Sequence, residues 1–148
     1  MIESKIENDL KNAMLDHNQE LVSALRNIKA TILNKKIEIK QRTKNLDDDI
    51  VIELLAKEVK KRQESADLYL KGGNLQKSKA ELYERKVIEN YLPEQLSDLQ
   101  LSEIINQEIL NQGKDPAKLG SIINAVKLKT IGRAETSVIA RITKDRLK

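Results

Sequence analysis

Hydrophobic positions recur at helical spacing along almost the whole chain. Ile2, Ile6, Leu10 and Met14 step by four and predict a first helix from Ile2 to about Asp16, ending at the polar pair His17-Asn18. Leu21, Leu25, Ile28, Ile32 and Ile39 form a near-heptad stripe, with Val22, Leu33 and Ile37 widening it, and predict a longer helix from Glu20 to about Gln41. Asp47 is placed to cap a third helix running to Lys71, with Val51, Leu55, Val59, Ala66 and Tyr69 inward. Gly72-Gly73-Asn74 stops it, because glycine takes a left-handed C-terminal position without steric cost. A fourth helix, Leu75 to Tyr91, carries Ala80, Tyr83, Val87 and Tyr91 on one side. No stretch alternates with period two for long, so strands are not expected.

The pattern breaks at Tyr91-Leu92-Pro93-Glu94-Gln95-Leu96-Ser97. Pro93 lacks an N–H and pushes Leu92 out of the helical region, so the fourth helix must end there. Ser97 and Gln100 have the spacing of a capping box and begin a fifth helix to about Asn111. Asp115-Pro116 starts a sixth, whose Leu119, Ile122, Ile123 and Val126 follow the i, i+3, i+4, i+7 pattern. Lys127 to Arg133 is expected as a loop around Gly132, and Glu135 to Leu147 as a last helix with Val138, Ile139 and Ile142 inward. The expected fold is therefore all-α: an N-terminal domain of about four helices over residues 1–96 and a C-terminal three-helix module over 97–148.

Composition agrees with helix-on-helix packing, since the chain has no Phe or Trp and its core must come from aliphatic residues. The absence of cysteine excludes disulfides, thiolate zinc sites and a cysteine nucleophile, and fits a reducing cytoplasm. No apolar run is long enough for a membrane span, and the N-terminus has no apolar signal core, so a cytoplasmic protein away from membranes is expected. A single histidine leaves no Ser-His-Asp arrangement and no His-rich metal site. Asp47-Asp48-Asp49 lacks the spacing and glycine of a calcium loop and reads as a helix start. There is no G-x-G-x-x-G or P-loop pattern, and the carboxylates alternate with Lys and Arg on helix faces. No catalytic residue, metal or cofactor is expected.

Charge separates the two parts. From Ser97 onward there are 9 basic and 6 acidic residues, whereas the longer N-terminal part carries 18 against 17. Lys114, Lys118, Lys127, Lys129, Arg133 and Arg141 are the candidate phosphate contacts. Lys127, Lys129 and Arg133 flank the glycine loop, and Lys114 and Lys118 surround a helix start whose free N–H groups favour an anion. From charge alone the same residues read first as an ordinary solvated face. No aromatic residues interleave with them, so base stacking is not expected, whereas backbone and shape recognition of folded RNA remains open.

Several phrases carry a resemblance: Leu25-Arg26, Asn34-Lys35-Lys36-Ile37-Glu38, Lys57-Glu58-Val59-Lys60-Lys61-Arg62-Gln63-Glu64-Ser65-Ala66, then Tyr69, Gly72 and the Tyr91 to Ser97 stretch. In order and spacing the chain resembles the YqeY-like proteins of the GatB/YqeY family over essentially its whole length. The resemblance implies a larger N-terminal helical domain, a C-terminal three-helix module, and kinship with the tail of GatB, the tRNA-engaging subunit of glutamine-dependent tRNA amidotransferase. Gly120 and Gly132-Arg133-Ala134-Glu135 match the tail pattern. The family often has Gly-Lys-Val-Met where this chain has Gly120-Ser121-Ile122-Ile123, and Asp-Gly where it has Glu135-Thr136. The label of carbon–nitrogen ligase with glutamine as amido donor is inherited by kinship, since the chain has no room for the catalytic parts. The function expected is a non-catalytic, tRNA-interacting accessory protein, with an amidotransferase or an aminoacyl-tRNA synthetase as implied protein partner and DNA not expected. The alternative is a protein–protein adaptor built on the long N-terminal helices, with no RNA role.

Overall fold

Seven α-helices and one 3-10 turn make up the regular structure of the chain, described over Met1–Lys148 by a computed structural model, and there is no strand. The helices are α1 (Ile2–Leu15), α2 (Gln19–Glu38), α3 (Asp48–Lys71), α4 (Leu75–Glu89), α5 (Asp98–Gln112), α6 (Leu119–Lys129) and α7 (Thr136–Arg146). They gather into two compact units, Met1–Leu92 and Pro93–Lys148, each with its own apolar core.

In the first unit, α1 buries Ile6 and Leu10, α2 buries Leu25, Ile28 and Ile32, and α3 and α4 add Val51, Leu55, Val87 and Ile88. Met14 is exposed, contrary to the four-residue reading, and Ala13 is buried instead. Each step of four overshoots a full turn by about 40°, so three steps rotate Met14 about 120° off the line begun at Ile2. Leu33 and Ile37 are also exposed rather than core, because on α2 they lie about 80° and 120° round from Leu25. Lys36 falls close to the core line and is buried there, paired with Glu3. Glu3 also accepts from the Leu46 N–H at 2.8 Å, so one buried carboxylate joins α1, α2 and the following loop.

The ends of α1, α2 and α3 share one device. His17, Lys40 and Gly73 each have positive φ immediately beyond a helix. The next residue then donates its N–H back: Asn18 to Ala13 O, Gln41 to Lys36 O and Asn74 to Tyr69 O. Asn18 and Asn74 serve twice, since their side chains accept from Leu21 and Lys77 N–H and open the next helices. α2 therefore stops at Glu38, short of Gln41. Asp47 makes no side-chain cap on α3; Asp48 instead accepts from the Ile2 N–H at 2.9 Å and pairs with the chain's terminal ammonium at 3.2 Å. The outer half of the α3–α4 hairpin runs past the core. Ala66 and Ser78 close its seam, with Ser78 Oγ donating to Ala66 O at 2.8 Å, while Tyr69 and Ala80 are exposed rather than inward.

In the second unit the Ser97–Gln100 capping box is complete: Ser97 N–H donates to Gln100 Oε1 at 3.0 Å and Gln100 N–H to Ser97 Oγ at 3.2 Å. Leu101, Ile105, Ile122, Val126, Ile139 and Ile142 form its core. Pro93 to Leu96, expected with the first part, belong here instead. Leu96 N–H donates to Arg133 O at 2.8 Å and Gln95 Nε2 to Gly132 O at 2.6 Å, tying this segment to the turn between α6 and α7. That turn needs Gly132 at φ 72°, with Arg133 N–H closing onto Thr130 O at 2.8 Å.

Candidate functional site

The basic residues of the second unit sit on three different kinds of support. Lys127 and Lys129 lie in the last turn of α6, not in a loop as the glycine signal suggested. Two residues apart on a helix, they point about 160° away from each other. Lys129 turns toward α5 and bonds Glu108 at 2.7 Å, whereas Lys127 stays in solvent with no carboxylate partner. Glu108 is buried and also accepts from Gln112 Nε2 at 2.7 Å. The Gln112 bond, then the Lys129 ammonium, hold the Glu108 carboxyl below its ordinary range. Arg133 is half-buried and its Nε donates to Glu94 O at 3.3 Å. Arg141 faces Asp98 at 3.7 Å.

Lys114 and Lys118 are exposed and unpaired at the other end of α6. The helix start between them is a 3-10 turn, Pro116–Lys118, and Asp115 Oδ1 already accepts from the Ala117 N–H at 3.0 Å. An internal carboxylate therefore occupies the position expected to attract an external anion. Lys118 and Lys127 are separated by the length of α6, roughly 14 Å along its axis. The six expected cations thus do not form one cluster: three are engaged within the unit, and three stand free along α6 and its approach. Ser121, in place of the lysine common in the family pattern, donates to Gln112 Oε1 at 2.6 Å.

The densest polar cluster lies in the first unit, on helix faces where carboxylates alternate with Lys and Arg along the sequence. Arg62 meets Glu58 at 3.6 Å, Glu81 at 3.2 Å and Glu84 at 3.1 Å. Burial opposes the Arg62 charge, but the Glu81 bond and the fields of Glu84, Glu81 and Glu58 outweigh it and raise its pKa. Asn27 Nδ2 donates to Glu84 at 2.9 Å and brings α2 into the network. Beside it, Arg85 donates to Gln63, and Gln63 Nε2 donates to Asp67 at 2.9 Å. A gap lined by Asn27, Thr31, Glu58, Arg62 and Glu84 has room for about one water, so it is a packing gap rather than a substrate pocket. Glu53–Lys57 and Glu58–Arg62 form i,i+4 pairs within α3, whereas the Arg62 partners on α4 are not visible in any local pattern.

Arg62, Gln63 and the Tyr91 to Ser97 segment thus have defined structural roles in the phrases that carried the family resemblance. A family model described as Yqey-like protein matches residues 3–147. The chain belongs to this YqeY-like family. Among curated proteins, none matches it in sequence. The family assignment spans both units, so the Arg62 network and the α6 lysines lie within the matched region. No helix is long and apolar enough to cross a membrane, and no group of three His, Asp or Glu side chains is placed to hold a metal ion.

Proposed function

We propose that this YqeY-like chain is a non-catalytic, tRNA-interacting accessory protein of the cytoplasm, related to glutamine-dependent tRNA amidotransferase and acting beside an amidotransferase or an aminoacyl-tRNA synthetase. The observation that carries the reading is the set of free cations on the second unit. Lys114, Lys118 and Lys127 are exposed, have no carboxylate partner, and are carried by α6 and the turn before it. Spaced ammonium groups of this kind suit several backbone phosphates of a folded RNA and read no base. The resemblance of the same region to the GatB tail supports tRNA as the RNA. With one histidine, no cysteine and no nucleotide-binding motif, the label of carbon–nitrogen ligase belongs to kinship and not to this chain's own chemistry.

A gel shift of total tRNA at two salt concentrations tests this. Affinity should fall steeply with salt. Changing Lys114, Lys118 and Lys127 to Gln should lower the log–log slope by about one for each phosphate that is no longer neutralised, with helicity unchanged. Absence of tRNA binding at low salt, or an unaltered slope in the triple variant, would remove the reading. The isolated chain supplied with glutamine, ATP and Glu-tRNA should give no amidated product.

A further inference from the structure

On α2 the residues Arg26, Lys29, Ala30, Leu33 and Ile37 fall within about 100° of one another around the helix axis. All five are exposed, and the two large ones are well out in solvent, Leu33 at 50% and Ile37 at 42%. They form one line down the helix, roughly 17 Å long, and exposed Lys40 follows in the positive-φ turn just past the C-terminus. The adjoining side of the same helix, about 100° round, carries Leu25, Ile28 and Ile32 into the core. α2 therefore has two apolar stripes, and only one is covered. Arg26, Lys29 and Lys40 have no carboxylate partner, and the line contains no acidic residue. The only acid in the last turn of α2, Glu38, is already paired with Lys35 at 3.5 Å.

We propose that this face of α2 docks an acidic amphipathic helix of a partner protein, with partner aliphatic side chains on Ala30, Leu33 and Ile37 and partner carboxylates on Arg26, Lys29 and Lys40. Charge and geometry select that occupant. Ala30, Leu33 and Ile37 form an apolar stretch with Arg26 and Lys29 at one end and Lys40 beyond the other, so the complementary surface must carry apolar groups at helical spacing flanked by acids, as one face of an amphipathic helix can. A lipid surface needs its apolar and charged groups on different faces of the helix, which is not the arrangement here. RNA would engage the three cations and leave Leu33 and Ile37 in water. A second copy laid on the same face would set cations against cations.

Panning a display library of helical peptides of about four turns against the full-length chain tests the assignment. Enriched peptides should carry Leu, Ile or Met at helical spacing with Asp or Glu flanking them. Their affinity should drop at least about tenfold both in Leu33→Ser/Ile37→Ser and in Arg26→Glu/Lys29→Glu, with helicity retained, and should be unmoved by Lys127→Gln. If the serine variant loses helicity, the charge-reversal variant decides. No enrichment overturns the proposal, as do enriched peptides indifferent to the helical variants that remain folded. Three other outcomes overturn it in favour of another occupant: tRNA affinity abolished in the folded Leu33→Ser/Ile37→Ser variant, α2-dependent binding to phosphatidylserine vesicles, or a dimer in sedimentation that this variant dissolves.

Discussion

Glu108 binds the Lys129 ammonium with one carboxylate oxygen and the Gln112 amide with the other, both at 2.7 Å. Two neighbouring lysines of α6 are thereby assigned different work. Lys129→Ala leaves a buried carboxylate without its counter-charge and should lower the urea midpoint. Lys127→Ala removes an exposed, unpaired ammonium and should leave the midpoint in place while reducing the salt dependence of tRNA binding. Equal stability of the two variants would show that the Glu108 pair contributes nothing.

The same pair sets an acid dependence. The folded-state pKa of Glu108 is depressed by the Gln112 and Lys129 bonds. Its contribution is then present above the unfolded carboxylate value and disappears as pH falls through the folded value. The stability gap between the wild type and Glu108→Gln should be widest near neutrality and should narrow in the acid range. Chemical denaturation at pH 7 and at about pH 3 compares the two. A gap that persists unchanged in acid would assign the effect to packing.

What the sequence could reveal follows from the range of each signal. Helices, the Pro93 break, the Ser97 box and most core positions are local patterns, and they were legible. Met14, Leu33 and Ile37 were assigned inward because steps of four and seven residues only approximate a helix of 3.6 per turn. The burial of Lys36 has no local signal because its partner Glu3 lies in another helix. The candidate cations were found by counting charge, which cannot distinguish Lys129, committed to Glu108, from Lys127, committed to nothing. The Arg62 network has no local signal because Glu81 and Glu84 reach Arg62 only across the α3–α4 seam.

Arg62 should consequently matter more than an exposed helix arginine. In Arg62→Ala, Glu58, Glu81 and Glu84 lose their common cation and repel one another. The site is partly open to water, which screens the repulsion, so the expected loss is about 1–3 kcal/mol rather than the cost of a fully buried pair. Arg62→Lys keeps the charge but not the forked geometry and should fall between the two. An unchanged denaturation midpoint in Arg62→Ala would mean that the network is ornamental to stability.

Tyr91 fixes the end of the first unit to α1, its hydroxyl donating to Asp9 Oδ2 at 2.5 Å. Burial first, then the Asp9 bond and charge, raise the phenol's pKa above its ordinary 10.0. Lys5, with Nζ 5.6 Å from the ring centroid, would favour the phenolate but does not reverse the shift. A raised folded-state pKa means that this contribution is complete below the unfolded value and is lost as pH rises toward the folded one. Tyr91→Phe keeps the buried ring and removes the donor, and Asp9, half-exposed, can rehydrate. The cost at neutral pH should therefore be about 1 kcal/mol. Above pH of about 10 the wild type should lose stability faster than Tyr91→Phe, so the two denaturation curves converge. Parallel alkaline profiles for the two proteins would rule out Tyr91 as the titrating group.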